Sequence, residues 1–492
     1  MQTPSPKKIP RLSPKFQNWV SLSGAVVSTA SLFAFVFLFA IDVLSHHGNP
    51  YMGILAYLVS PMFFLLGAAL FFLGAWIHRR KTRDGAIPQA FTIDLTRKAD
   101  KRAFAGFITG AVLFLLITAM GSYNTYHYTE SVNFCGQACH APMKPEYTAY
   151  LNSAHARVAC TECHVGPGAE FYVKSKINGV HQLYCVAINQ YQRPIKTPLK
   201  NMRPAQETCE QCHWPKKFVG DTERAFTHYL SDETNTPFTV RLSMKVGGAD
   251  PSHGPTGGIH WHMNVANKIE YVATDAQRQI IPWVRVTAPD GKVTEFRVKG
   301  FKDNPGHEAT RSMDCMDCHN RPAHNFKPPN DAVDLAMTLG EIDATIPWVK
   351  SNAVAVLVQN YATEPEALSK IDASLRNTYK SSPRVDRLVA AVQKIYAMNF
   401  FPEMKSDWRS YPDNIGHKNW NGCFRCHDGL HKSEDGKRTI DASSCNSCHT
   451  IMAQGSGADL NQLSTKGLDF FHIDAQYTDF TCNNCHTGAA TK

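Results

Sequence analysis

Fourteen of the fifteen cysteines fall into seven short motifs, and every motif ends in histidine. Six of them read C-x-x-C-H: Cys160–His164, Cys209–His213, Cys315–His319, Cys423–His427, Cys445–His449 and Cys482–His486. The first, Cys135–His140 in FCGQACHAPM, carries one more residue between its cysteines. Zinc ribbons and disulfide frameworks also use paired cysteines, but neither requires histidine directly after the second. Histidine is 22 of 492 residues, so chance would place it there about one time in 22. Seven in seven is a chemical requirement, and a chain bound by it packs around cofactor more than around an ordinary apolar core.

The pattern is that of covalent c-type haem. Thiols three or four residues apart lie on one side of a helical turn. They bond the porphyrin vinyl groups, and the adjacent histidine comes under the iron. The expected attachment pairs are Cys135 and Cys139, Cys160 and Cys163, Cys209 and Cys212, Cys315 and Cys318, Cys423 and Cys426, Cys445 and Cys448, and Cys482 and Cys485. The expected proximal ligands are His140, His164, His213, His319, His427, His449 and His486, giving seven haems. Cys185 is left over and reads as a small buried residue.

Three apolar runs occupy the first 120 residues, at about 20–44, 51–77 and 103–120. Each approaches or exceeds the roughly 20 residues that cross a bilayer. Lys7, Lys8, Arg11 and Lys15 precede the first run, and loop 78–102 is rich in Lys and Arg, whereas SHHGNP between the first two runs has none. The positive-inside rule places the N-terminus and loop 78–102 in the cytoplasm and everything after residue 120 outside. Residues 1–102 hold 12 Lys+Arg against 4 Asp+Glu, and the remainder 39 against 38. The basic excess belongs to membrane topology, so it gives no reason for a nucleic-acid partner.

The expected fold is a membrane-anchored multihaem cytochrome c. Three transmembrane helices carry a mainly α or irregular haem-packed periplasmic region with a small β-rich insertion. The expected segments are an anchor at 1–122, a region with motifs one to three at 123–213, the β-rich insertion and motif four at 214–330, a helical segment at 331–415, and a triple-motif region at 416–492. Within the insertion, VRVTAPDGKVTEFRV (284–298) alternates and turns at Asp-Gly, the signature of a hairpin.

Seven irons call for further axial ligands. His155, His260, His262, His324, His417, His431 and His472 lie beside motifs or in the insertion and are the candidates. A histidine close to its own motif seldom reaches the far face of the same haem, so these should cross to neighbouring haems.

The stretches ESVNFCGQACHAPMKPEY, SAHARVACTECHVGPGAEFYVKSKING and ETCEQCH resemble the NapC/NirT family of membrane-anchored quinol dehydrogenases over about residues 125–320. Members usually have one membrane helix and four haems. Three runs and seven motifs make this chain similar to the seven-haem inner-membrane cytochromes of metal-reducing bacteria. The resemblance implies that the first haem lies nearest the membrane, beside the quinol, where a methionine just after the motif can serve as axial ligand. Met143 stands one residue beyond the family spacing, so His140 remains the alternative. It also implies a lysine at the quinol, matched by Lys176, and an acidic residue six or seven positions on. That position falls on Gln182, which cannot accept a proton as a carboxylate does. His181 beside it is the better base.

The resulting expectation is an inner-membrane quinol dehydrogenase of anaerobic respiration. It oxidises menaquinol to menaquinone and hands electrons to a periplasmic cytochrome or reductase. The alternative is an electron-transfer subunit of a larger respiratory complex without its own quinol site. A nitrite-reductase reading fails for lack of a C-x-x-C-K motif.

Overall fold

Three long helices open the chain in the computed structural model, which describes all residues except 1–15, 17, 45–58, 84–94, 167–168, 200–201, 249–256, 264–266, 303–309, 442–444, 474–480 and 490–492. The helices are α1 (Trp19–Leu44), α2 (Ser60–Arg83) and α3 (Lys98–Thr129). The start of the second expected span and the basic tail lie outside the described residues. Among the described residues, two helices are long and apolar enough to cross a bilayer, over Trp19–Val36 and Ser60–Lys81. The chain divides into two compact units, Met1–Ser131 with His164–His181, and Val132–Cys163 with Gln182–Lys492.

In the first unit α1 and α2 run antiparallel, because Asn18 and Ser21 bond the carbonyls of Gly74 and Phe71 while Ser28 reaches that of Phe64. Small residues let the two backbones touch, as in membrane helix pairs generally. A Cβ added at Gly24 would lie 2.3 Å from the Phe71 amide nitrogen. Trp19 meets Phe107 of α3 with ring centres 5.9 Å apart.

The second unit holds α4 (His140–Leu151), most of α5 (Cys160–His164), α7 (Ala205–Thr208) and α8 (Cys315–Cys318); α6 (Ala169–Ala187) belongs mainly to the first. Its apolar core is built by α9 (Pro329–Thr338), α10 (Val349–Leu357), α11 (Glu364–Thr378) and α12 (Val385–Asn399). Thr363 caps α11 by accepting from the Glu366 amide, which satisfies a donor the first turn leaves open. Ala367, Ile371 and Leu375 then recur every four residues and bury one stripe against Leu388 and Val392 of α12. Asp334 of α9 is buried against Lys350 of α10 and accepts from the Tyr229 amide. Burial opposes its charge, but His228 and Lys350 more than offset that and hold the carboxyl below the usual range.

Nine strands form two sheets among the described residues. β1 (Thr222–Tyr229), β2 (Pro237–Met244) and β9 (His449–Gly455) make one, in the order β1-β2-β9. The other has β3 (Lys268–Val272), β4 (Trp283–Thr287), β5 (Val293–Arg297), β6 (Arg311–Ser312), β7 (His431–Ser433) and β8 (Thr439–Ile440), in the order β6-β3-β4-β5-β7-β8. The hairpin expected at 284–298 is β4–β5, paired from Trp283↔Arg297 to Thr287↔Val293. The sheets extend beyond the insertion, because β7, β8 and β9 come from the C-terminal motif region and finish both of them. Pairing β2 with β9, which begins at the motif histidine His449, anchors motif six to the insertion.

Candidate haem sites

Each motif turns the chain through one helical step. In motifs three, four, five and seven the histidine amide donates to the carbonyl of the first cysteine: His213 to Cys209 at 2.8 Å, His319 to Cys315 at 2.8 Å, His427 to Cys423 at 3.1 Å and His486 to Cys482 at 2.8 Å. That i→i+4 bond puts both thiols and the imidazole on one side of the turn. Motif one differs. Its extra residue is absorbed by a π-helical turn, Phe134–Ala138, after which His140 opens α4. The wider turn is how a C-x-x-x-C spacing keeps its cysteines on a common face. Gly136 lies in that turn because any Cβ there would come 2.2 Å from the Tyr147 ring.

The expected distal histidines meet motif histidines in pairs. His155 faces His213 with ring centres 6.0 Å apart, and His260 faces His319 at 6.3 Å. His262 faces His427 at 5.9 Å, His417 faces His449 at 6.3 Å, and His472 faces His486 at 6.2 Å. Two metal–nitrogen bonds of about 2 Å, plus the distance from each nitrogen to its ring centre, require roughly 6 Å between imidazoles that share one metal. The donor sets therefore fit haem iron held between two histidines. His155 skips the adjacent motif two to reach motif three, and His417 skips motif five to reach motif six. His260 and His262, two residues apart on a single 3₁₀ turn (Ile259–Met263), serve different motifs.

Ring orientation is set by the other nitrogen. Nδ1 of His155 bonds the Pro322 carbonyl at 3.2 Å, that of His260 the Val246 carbonyl at 2.6 Å, and that of His262 the Ile259 carbonyl at 2.9 Å. A carbonyl only accepts, so Nδ1 carries the hydrogen and Nε2 keeps its lone pair for a metal. His324 shares this arrangement, with Nδ1 on the Glu146 carbonyl at 3.0 Å. Burial lowers the pKa of His262, His319, His324, His417, His449 and His486, favouring the neutral, ligating form.

His431 is a correction. It is fully buried, with Nδ1 on Asp428 at 2.8 Å and Nε2 on the Ile281 carbonyl at 2.6 Å. Neither nitrogen is left for iron, and the ring instead ties β7 to the chain ahead of β4. Cys185 is half-buried rather than enclosed. Among the described residues no imidazole faces His140 at the paired spacing. Met143, on the next turn, is half-buried and donates its amide to the Cys139 carbonyl at 3.1 Å. Thiols of successive motifs also meet: Cys135 with Cys160, and Cys209 with Cys315. Cys482 Sγ lies 3.9 Å from His417 Nδ1.

Helix α6 carries Lys176, His181 and Gln182. Val173, Ile177, Val180 and Tyr184 recur at helical spacing along it and are all exposed, an apolar stripe of the kind found on interfacial helices. Lys176 is at the edge of that stripe, salt-bridged to Glu130 just past the end of α3. Its ammonium is 3.4 Å from Thr129 Oγ1 and 5.0 Å from the centre of the Tyr172 ring. Tyr172 is buried, and burial and the Glu130 carboxylate push its hydroxyl up to about 12. The helix does not bring His181 or Gln182 to Lys176. Five and six residues along, they are turned from it by about 140° and 120°. Glu130 was not legible as a site residue, because 46 residues separate it from Lys176.

The NapC/NirT cytochrome c family, N-terminal region, matches residues 97–205. The cytochrome c-type protein ImcH of Geobacter sulfurreducens is 39% identical over 495 residues, covering 96% of each chain. No solved structure matches. Cysteine motifs, facing histidines and full-length similarity agree, and the chain belongs to the NapC/NirT cytochrome c family of membrane-anchored electron-transfer proteins with covalent haem.

Proposed function

We propose that the protein oxidises menaquinol at the outer face of the bacterial inner membrane and passes electrons through seven c-type haems to a periplasmic cytochrome or reductase in anaerobic respiration. The observation that carries this reading is Lys176, paired with Glu130 at the edge of the exposed apolar stripe of α6. The stripe rests on the lipid surface, and the lysine there meets a quinol that arrives from the bilayer. The α3 helix is the third membrane span, which leaves the N-terminus cytoplasmic and all seven motifs periplasmic.

When bound, the haems would supply one-electron centres. The chain's own residues set their ligands. His155, His260, His262, His417 and His472 would hold iron opposite the histidines of motifs three to seven, and His324 is available to one more haem. At motif one, His140 or Met143 would hold the iron. Lys176 donates a hydrogen bond to a quinol oxygen and orients the ring.

Stopped-flow mixing of the purified, fully oxidised protein with a menaquinol analogue tests the reading. Haem reduction is expected in the wild type, with a rate about 10- to 100-fold lower in Lys176→Ala, as for loss of one charged positioning contact. A wild type that the analogue does not reduce, though dithionite does, favours a subunit without a quinol site of its own. Equal rates in wild type and variant remove Lys176 from the site.

A further inference from the structure

Resting on that quinol reading, we propose that Glu130 is the carboxylate that takes the quinol proton. The helix that bears Lys176 has no acid at the positions six and seven residues beyond it, where Gln182 and Leu183 stand. An amide has no basic site that takes a proton at neutral pH. Glu130 supplies the missing group from the other side, where the chain leaves α3. Its side chain is only 14% exposed and Lys176 is 33% exposed, so the lysine is the outer member of the pair and the carboxylate the inner one. Thr129 and the buried Tyr172 ring lie beside the lysine ammonium.

This juxtaposition suits a hydroxyl that must lose its proton as its electrons leave. The quinol O–H donates to Glu130 while the Lys176 ammonium donates to the same oxygen. Quinol oxidation releases two electrons, which bound haem would take one at a time, and two protons. Glu130 accepts the proton of the hydroxyl it faces, changing from carboxylate to carboxylic acid, and passes it to water, while the second proton leaves to water from the hydroxyl across the ring. His181, on another face of α6, is not placed to share this task.

The full-length holoprotein in detergent, with Glu130→Gln, Glu130→Asp and Glu130→Ala variants, separates a proton acceptor from a structural ion-pair partner. Three properties are measured: affinity for a non-reducible hydroxyquinoline N-oxide by fluorescence quenching, reduction by dithionite, and single-turnover reduction by a menaquinol analogue. Glu130→Gln is expected to bind the N-oxide within about threefold of wild type, to be fully reduced by dithionite, and to lose about 100-fold or more of its quinol-driven rate, the usual contribution of a general base. Glu130→Asp should recover part of that rate, and added acetate should raise the rate of Glu130→Ala. A Glu130→Gln protein reduced by quinol at the wild-type rate overturns the proposal and leaves the quinol site standing. Loss of N-oxide binding in Glu130→Gln also overturns it, by showing a role in holding the pocket. Wild-type protein inert to quinol removes both readings together.

Discussion

Replacing His262 by alanine is expected to convert one haem from low-spin to high-spin and leave the others unchanged. His262 and His427 face each other with ring planes 88° apart, and Nδ1 of His262 is already spent on the Ile259 carbonyl. No other imidazole is paired with His427 among the described residues, so the variant leaves that iron with one strong ligand. The neighbouring His260→Ala variant should do the same at motif four, where the His260 and His319 rings are almost parallel, 3° apart. The two losses should differ in EPR. Nearly perpendicular imidazoles leave two iron d-orbitals close in energy and give a strongly anisotropic low-spin signal, whereas parallel ones separate them and give a rhombic signal. His262→Ala should therefore remove an anisotropic component and His260→Ala a rhombic one. An unchanged low-spin spectrum in either variant removes that histidine from the ligand set.

The second large effect is on stability, at Asp317 within motif four. Its carboxylate accepts from Tyr271 Oη at 2.7 Å, Arg311 Nε at 2.8 Å, Arg278 Nη1 at 3.2 Å and the Asp314 amide at 2.8 Å. The side chain is 2% exposed. The same carboxylate and Asp314 form a capping box at the start of α8, so one group fixes the attachment turn and joins it to β3 and β6. Burial first, and then the Asp317 charge, raise the Tyr271 hydroxyl well above its usual range and favour its role as donor. Asp317→Ala leaves two arginines and a buried hydroxyl without their common acceptor. A cost of about 3–5 kcal/mol is expected, with weakened haem retention at motif four. Asp317→Asn should lose less, since it keeps one acceptor oxygen. Thermal unfolding followed in the haem Soret band checks this, and an unaltered midpoint in Asp317→Ala would show that the network contributes little.

Much of the site was legible because haem chemistry is local. Two thiols and a histidine must share one turn, and that constraint is written in the spacing of Cys209, Cys212 and His213. The Asp290-Gly291 hairpin was legible for the same reason. The distal partners follow only loosely from sequence, because each depends on where folding brings a distant segment. His155, His260, His262, His417 and His472 all stand opposite motif histidines, but the partner of each is set by tertiary structure. His431 failed because proximity to Cys423–His427 says nothing about its own hydrogen bonds, and Asp428 and the Ile281 carbonyl claim both nitrogens. The sheets were underestimated because β9 looks in sequence like the tail of a motif. Glu130 was missed because an ion pair to a residue 46 positions away leaves no periodic or motif signal.

The most direct measurement is the haem content of the purified full-length protein, by pyridine haemochrome assay against protein concentration, together with its intact mass under denaturing conditions. Seven covalently attached haems per polypeptide are expected, with motif one occupied despite its longer spacing. Six haems, with Cys135 and Cys139 as free thiols, would contradict haem attachment at the π-turn, and four or fewer would contradict the relay as a whole.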